Sequence, residues 1–156
     1  MDAEITTRAE TRVAYVRHVG PYQDCKPAFE QLCAWAGPRG LFGPATRIMG
    51  MAWDDPREVP AEKLRFDACM TVAESVEASE GVEVRTEPAG LYAKTVHLGP
   101  YEKLAATYES LMTDFIPAHD VAMDCERPSI EVYLSDPRTT PPEQLRTEVW
   151  FPVKKG

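Results

Sequence analysis

A carboxylate beside an aromatic ring stands out in the apolar run Thr147-Glu-Val-Trp-Phe-Pro-Val153. Such an acid is costly to bury unless a cation or a hydrogen-bond donor meets it. Because side chains alternate along a strand, Glu148 and Trp150 are expected on one face. There, charge attraction and a cation–π contact worth about 0.5–2 kcal/mol would hold a cationic ligand. The alternative, that Glu148 pairs with Arg146 or Arg65 at a rim or is simply solvated, stays open.

A second acid, Glu131, shares a strand face with Tyr133 in the run Ser129-Ile-Glu-Val-Tyr-Leu134. This strand is predicted to pair with the strand of Glu148 through the 135–145 loop. Two neighbouring carboxylates raise at least one pKa, which gives a site a proton donor near neutral pH. The strand register decides whether Glu131 reaches Glu148 or faces solvent, so both possibilities stay open.

The sequence Gly-Pro-Tyr occurs twice and ends at Tyr22 and at Tyr101. Glycine and proline end a strand and fix the direction of the side chain that follows. The repetition favours a structural role for this turn, while the functional alternative is that both tyrosine rings line a ligand site. Trp53 and Tyr108 are further candidates for an aromatic lining, with core packing as the alternative for each.

An internal repeat must position these residues. The segments 15–22 and 55–67 recur in the same order later in the chain, at offsets of 79 and 81 residues, so that Asp67 corresponds to Glu148. His18 and His97 fall at equivalent strand ends and are expected to be hydrogen-bonded structural residues. The repeat indicates a single domain over residues 1–156 that is built from module 1, about 1–78, and module 2, about 80–156.

Each module is predicted to be a strand-helix-strand-strand unit. The predicted strands are 12–18, 47–53, 66–72, 90–97, 129–134 and 146–153. The helices are predicted after Asp24 as N-cap, with a stripe that includes Cys33, and over about 102–116. This pattern predicts an α+β fold, a tandem duplication with antiparallel sheets and two main helices packed around a pseudo-twofold axis, and a central cleft between the modules.

Composition and charge limit the partners. The net charge is −8 and the isoelectric point is about 4.9, so direct nucleic-acid binding is not expected. Four scattered cysteines without a Cys-x-x-Cys pair indicate reduced thiols in a cytoplasmic protein. Three histidines without ligand spacing predict no metal site, and no cofactor is expected. No run approaches the roughly 18 apolar residues that would span a membrane.

Taken together and in order, the motifs resemble the GyrI-like small-molecule-binding family, also called the SbmC family. The segments that carry the resemblance span nearly the whole chain: His18-Val-Gly-Pro-Tyr22, Asp54-Asp-Pro56, Val59–Asp67, Gly90-Leu-Tyr-Ala93, Pro128–Leu134 and Thr147–Val153. The resemblance implies a duplicated fold with a central cleft. The family includes effector domains of AraC-type and MerR-type multidrug regulators, in which a glutamate in the cleft, surrounded by aromatic residues, binds cationic drugs. The resemblance therefore implies a glutamate with that role here. Glu148 fits that position.

Three functions follow as hypotheses. The leading one is the binding or sequestration of cationic or amphipathic toxic small molecules. Its candidate site residues are Glu148, Trp150, Tyr133, Glu131, Trp53, Tyr22 and Tyr101. The resemblance also implies a hydrolase that opens cyclopropane-bearing alkylating toxins, with Glu148 as general base or electrostatic stabiliser. The third hypothesis is a protein–protein inhibitor, such as a gyrase modulator. The sequence contains no helix-turn-helix segment, which weighs against a regulator that reads DNA itself.

Overall fold

The computed structural model describes residues 2–156, which form two compact units. The contiguous unit is Ala9–Ala89. The split unit joins strand β1, Ala3–Arg8, to the later segment Gly90–Gly156. Each unit is an antiparallel sheet with one main helix, which confirms the predicted α+β class. Among the described residues, no helix is long and apolar enough to cross a membrane.

The contiguous unit contains four strands and one main helix among its described residues. These elements are β2 (Thr11–Val19), α1 (Lys26–Ala36), β3 (Ile48–Ala52), β4 (Arg65–Thr71) and β5 (Glu83–Glu87). The strands follow the order β3-β4-β2-β5. Helix α1 covers one face of this sheet through a core that includes Leu32, Trp35, Ala68 and Met70.

Helix α1 differs from its prediction in two details. The N-cap is Cys25 rather than Asp24, because Asp24 belongs to a short 3-10 turn that precedes the helix. Cys33, placed in the apolar stripe by periodicity, is exposed, and Trp35 is buried instead. The predicted end of the helix at Gly37 is observed, where the Gly37 N–H donates to the Cys33 carbonyl at 3.0 Å. The buried stripe is therefore rotated from the predicted one.

The split unit repeats the order of a long strand, a helix and three further strands. Its later elements are β6 (Gly90–Leu98), α2 (Leu104–Ser110), β7 (Val121–Met123), β8 (Ser129–Tyr133) and β9 (Arg146–Lys155). The strands follow the order β1-β6-β9-β8, and β7 pairs with β9. Helix α2 continues as a π-helical turn over Leu111–Phe115. The helix packs on a core that includes Leu104, Leu111 and Val149.

The register of β9 separates the two faces of the split unit's sheet. Val149 belongs to the core under α2, and Glu131 lies directly opposite Val149 on β8. Glu148 alternates to the other side of β9, opposite Val132. Glu131 and Glu148 therefore lie on opposite faces of one sheet. Of the two possibilities that the sequence left open, the register excludes a contact between these carboxylates. We call the two sides of this sheet the helix-covered face and the opposite face.

The Gly-Pro turns close both units in the same way. Gly20 donates its N–H to the Leu64 carbonyl at 2.8 Å, and Gly99 donates to Leu145 at 2.8 Å. Both glycines have φ near +130° to +139°, a conformation that favours glycine. The adjacent histidines, His18 and His97, place Nε2 2.9 and 3.0 Å from the carbonyls of the turn prolines. Because a carbonyl only accepts, each Nε2 donates, in agreement with the structural role predicted for these histidines.

Candidate functional site

Glu131 is the centre of a hydrogen-bonded cluster on the helix-covered face of the split unit. The Tyr108 hydroxyl donates to Oε2 of Glu131 at 2.7 Å, and the Tyr133 hydroxyl donates to Oε1 at 2.8 Å. The Tyr101 ring packs edge-on against the Tyr133 ring, with 5.6 Å between centroids. We call Glu131, Tyr101, Tyr108 and Tyr133 the Glu131 cluster. It gathers one acid and three aromatic rings in one place.

Three different elements supply the side chains of this cluster. Alternation along β8 turns Glu131 and Tyr133 to the same face. Helix α2 covers that face and brings Tyr108 above the strand. Tyr101 follows the Gly99-Pro100 turn and opens the 3-10 turn before α2. The cluster thus forms where β8, α2 and the Gly99-Pro100 turn lie on the same side of the sheet.

Burial raises the pKa of Glu131 above its ordinary value. The hydrogen bonds from the two tyrosines and the nearby imidazole of His97 act in the other direction and offset only part of that rise. Burial and the charge of Glu131 also raise the pKa of Tyr101. Among residues 2–156, no ion pair with a lysine or arginine involves Glu131. A cation from outside the chain would therefore favour the carboxylate form of Glu131.

Thr147 adjoins the Glu131 cluster on β9. It lies between His97 on β6 and Tyr133 on β8, directly opposite each of them. The residue is fully buried, and its Oγ1 has no hydrogen-bond partner within the described chain. Buried polar side-chain atoms in native proteins nearly always have a partner. Sequence reasoning missed Thr147, and only its alignment with Phe66 in the repeat could have drawn attention to it.

Glu148 and Trp150 lie together on the opposite face, as alternation along the strand indicates. Trp150 Nε1 donates to Glu148 Oε1 at 3.1 Å. Lys94 Nζ lies 3.7 Å from Glu148 Oε2 and 4.7 Å from the centre of the Trp150 ring. The Arg8 guanidinium also lies 4.7 Å from that ring. The chain's own cations thus occupy the place foreseen for a ligand, and the partner of Glu148 is Lys94 rather than Arg146 or Arg65.

Asp67, which the repeat aligns with Glu148, lies in a closed ion network in the contiguous unit. Arg17 donates to both carboxylate oxygens at 2.8 and 3.0 Å, and Arg85 donates at 2.7 Å. Trp53 Nε1 also donates to Asp67, at 2.8 Å. Burial acts to raise the pKa of Asp67, but the hydrogen bonds from Arg17 and Trp53 and the charge of Arg85 prevail and lower it. Trp53 is therefore a donor within this network.

Tyr22 follows the Gly20-Pro21 turn of the contiguous unit and is partly buried. Its hydroxyl donates to the Asp54 carbonyl at 2.7 Å and accepts from the Asp54 N–H at 3.1 Å. Its ring packs against Phe66, with centroids 5.7 Å apart. Burial raises the pKa of Tyr22 to about 12. Both hydrogen-bonding functions of this hydroxyl are already used by the fold.

The predicted ligand-site residues thus fall into separate local groups. In the split unit, one group lies on the helix-covered face and another on the opposite face. In the contiguous unit, Tyr22 and Trp53 bind different partners. The groups are Glu131 with Tyr133 and Tyr101; Glu148 with Trp150; Tyr22; and Trp53. Tyr108, considered only for an aromatic lining, is a direct partner of Glu131. Within residues 2–156, no group of three or more His, Cys, Asp or Glu side chains is placed to hold a metal ion.

A few polar groups placed against apolar and aromatic side chains are common in sites for small organic molecules, which makes the Glu131 cluster a candidate site. The class of protein is given by the sequence as a whole, which matches the pattern of a small-molecule-binding domain. The sequence pattern of that class, described as a GyrI-like small molecule binding domain, matches residues 1–154. The chain belongs to the GyrI-like family, in agreement with the resemblance of its motifs.

Several known proteins are similar to this chain in sequence or in fold. A protein named DNA gyrase inhibitor from Erwinia billingiae (strain Eb661) is 31% identical over the whole of this chain and 99% of its own length. The crystal structure of the EcmrR C-terminal domain has a TM-score of 0.80 at 21% identity, over 99% of this chain and 98% of that one. The structure of SAV2435 bound to tetraphenylphosphonium has a TM-score of 0.67 at 18% identity, over 99% and 94% of the two chains.

Proposed function

We propose that this protein binds or sequesters cationic aromatic small molecules through the Glu131 cluster. The observation that carries the proposal is the geometry of Glu131, a partly buried acid that accepts from Tyr108 at 2.7 Å and from Tyr133 at 2.8 Å. Its charge is not matched by a lysine or arginine of the described chain. A ligand cation supplies that charge, and the tyrosine rings supply apolar and cation–π contact.

Glu131, and not Glu148, is the anchor in this proposal. A carboxylate attracts an external cation most strongly when no internal cation already neutralises it. Glu148 has Lys94 at 3.7 Å, and Arg8 lies over the adjoining Trp150 ring. A ligand at Glu148 would therefore have to displace charges of the protein, whereas a ligand at Glu131 would not.

A structural neighbour supports the ligand class. The structure of SAV2435, similar in fold over nearly the whole chain, is described as bound to tetraphenylphosphonium. That molecule is a cation surrounded by aromatic rings, so it matches an acid surrounded by tyrosines. We place the function in the cytoplasm, because the four cysteines are scattered along the sequence without a Cys-x-x-Cys pair, a pattern typical of reduced thiols in that compartment.

Calorimetric titration with tetraphenylphosphonium tests the proposal. We expect saturable binding to the wild type, at least about tenfold weaker binding to Glu131→Gln, which is about 1.4 kcal/mol, and less than about twofold change in Glu148→Gln. Glu148→Gln is the matched control, since it makes the same chemical change on the opposite face. Loss of binding in Glu148→Gln alone would move the anchor to Glu148. Absence of binding to the wild type would overturn the proposal.

Inhibition of DNA gyrase is a second candidate function. The observation that favours it is the name DNA gyrase inhibitor carried by full-length relatives at 31–32% identity. The net charge of −8 suits a basic, DNA-binding surface of a protein partner. A supercoiling assay with purified gyrase decides this candidate. Inhibition that persists in Glu131→Gln would assign it to a surface separate from the Glu131 cluster, and no inhibition at excess protein would reject it.

A further inference from the structure

The unpartnered hydroxyl of Thr147 marks a position on the helix-covered face where the fold leaves a polar group unsatisfied. The side chain is fully buried, and its Oγ1 lacks a partner among residues 2–156. Such a hydroxyl destabilises a protein relative to an apolar side chain of the same shape. A valine would occupy the same volume without this cost, so the hydroxyl points to a partner that arrives with a ligand.

In the contiguous unit, the position that corresponds to Thr147 is occupied by the apolar residue Phe66. Phe66 lies opposite His18 in that unit, as Thr147 lies opposite His97 in the split unit. The Phe66 ring is 4% exposed and packs against Phe29, with centroids 5.9 Å apart. The same register position therefore holds a phenyl ring in one unit and a short hydroxyl side chain in the other.

The residues around Thr147 are also more polar than those around Phe66. Where the contiguous unit has Gly50 and Ala52 on β3, at the corresponding places the split unit has Glu131 and Tyr133 on β8. Phe29 on α1 likewise corresponds to Tyr108 on α2 at the offset of 79 residues. The replacement of Phe66 by Thr147 thus belongs to a group of changes that converts an apolar core position into a polar one.

We propose that Thr147 is a specificity-determining residue of the Glu131 cluster, an inference that rests on the proposed function. Its hydroxyl accepts a hydrogen bond from an N–H of a protonated aromatic amine. The ring of that amine lies in the space that corresponds to the Phe66 ring of the contiguous unit. The ligand class is therefore aromatic ammonium ions that carry N–H donors, in preference to fully alkylated onium ions.

The register places both acceptors within reach of one ammonium group. Thr147 is directly opposite Tyr133 and diagonal to Glu131, which corresponds to Cβ separations of roughly 5 Å and 7–8 Å. The two Glu131 oxygens each accept one tyrosine hydroxyl and keep further lone pairs for an N–H. An ammonium nitrogen between the two side chains donates to both, whereas a trimethylammonium nitrogen has no hydrogen to donate.

A matched pair of cations tests this inference. The probes are 2-phenylethylammonium and its N,N,N-trimethyl derivative, titrated calorimetrically into the wild type, Thr147→Val and Thr147→Ser. We expect the wild type to prefer the primary ammonium by about tenfold. Thr147→Val should lose most of that preference by weakening the primary ammonium alone, with less than about twofold change for the trimethyl ion. Thr147→Ser, which keeps the hydroxyl, should retain the preference.

Several outcomes would overturn the inference. Equal weakening of both cations in Thr147→Val would show a packing role only, and no change in either would show that the hydroxyl is not used. If neither probe binds the wild type while tetraphenylphosphonium binds through Glu131, this inference fails and the proposed function stands. If none of the three cations binds, both fail. A lower melting temperature of Thr147→Val would contradict the premise, because removal of an unpartnered hydroxyl should not destabilise the fold.

Discussion

The two units use the helix-covered faces of their sheets in different ways. In the contiguous unit this face is an apolar core, with Phe66 packed between Tyr22 and Phe29. In the split unit the corresponding face carries Glu131 and its tyrosine partners. The same arrangement of strands, helix and Gly-Pro turn therefore accommodates either a core or a candidate binding site. The two faces differ in the side chains at corresponding register positions, such as Phe66 opposite His18 and Thr147 opposite His97.

The opposite faces show the reverse relation. Asp67 in the contiguous unit is fully buried and receives two arginines and an indole, while the Glu148 side chain in the split unit is 21% exposed and has Lys94 at 3.7 Å. The contiguous unit thus has its polar network closed and neutralised on one face and an apolar core on the other. Each unit places its strongest polar group on a different face, so the repeat does not make two equal sites.

Replacement of Asp67 by Asn should give the largest effect on stability. It leaves Arg17 and Arg85 without their shared carboxylate, and removal of one partner from a buried ion pair costs about 3–5 kcal/mol. Glu148→Gln, the matched change in the split unit, should cost less than about 1 kcal/mol because its ion pair is longer and partly exposed. Urea unfolding at neutral pH measures both free energies of unfolding. An equal cost in the two variants would contradict this contrast.

Acid should reduce the difference made by Asp67. The interactions that lower the pKa of Asp67 in the folded state stabilise the fold above its ordinary value of 3.8, and this stability is lost as the pH falls through the lowered value. The cost of Asp67→Asn should therefore shrink in strong acid. A cost that is independent of pH would indicate that packing, and not charge, dominates at this position.

Phe66→Thr makes the contiguous unit resemble the split unit and should give the next largest effect. Removal of a buried phenyl ring leaves a cavity, and we expect a loss of about 3 kcal/mol in the free energy of unfolding. The reverse change, Thr147→Phe, should cost less, because the new ring replaces an unpartnered hydroxyl. Thermal and urea unfolding compare the two exchanges directly. If Thr147→Phe proves the more costly change, the split unit lacks the space that we infer beside Thr147.

Glu131→Gln should give the smallest of these effects, and it should depend on pH. Because burial raises the pKa of Glu131, the folded chain holds this proton more tightly than the unfolded chain. The free energy of unfolding of the wild type should therefore fall as the pH rises from 4.5 through the raised value. The amide of the variant does not titrate, so the free energy of unfolding of the variant should rise relative to that of the wild type over this pH range. Urea unfolding at several pH values, with the exposed Glu143→Gln as control, tests this difference.

Alternation along single strands was predicted well, but the relation between strands was not. The pairs Glu148 with Trp150 and Glu131 with Tyr133 each share a face. That the two pairs lie on opposite faces follows from the register of β8 on β9, which the 135–145 connection determines. A shift of one residue would have placed both acids on one face, and the pattern of residue types alone cannot distinguish these registers.

The partners of Glu148 depend on pairings that are distant in the sequence. Lys94 comes from β6 and Arg8 from β1, and both contact the Trp150 ring on β9. Strand β1 was not predicted, since its alternating charged and small polar residues resemble a loop as much as an edge strand. The strand β5 was missed for the same reason, although it contains the buried Glu87. Local patterns therefore located the acids but not their counter-ions.

The position of β1 in the chain has a consequence for the timing of folding. Strand β1 pairs with β6, and the whole contiguous unit is translated between these two strands. At roughly 5–20 residues per second, the contiguous unit is complete several seconds before β9 has left the ribosome. During synthesis, β1 therefore remains without its partner β6 until the whole contiguous unit has been translated. The sheet of the split unit is complete only when β1 and β9, its earliest and latest strands, have each paired with β6.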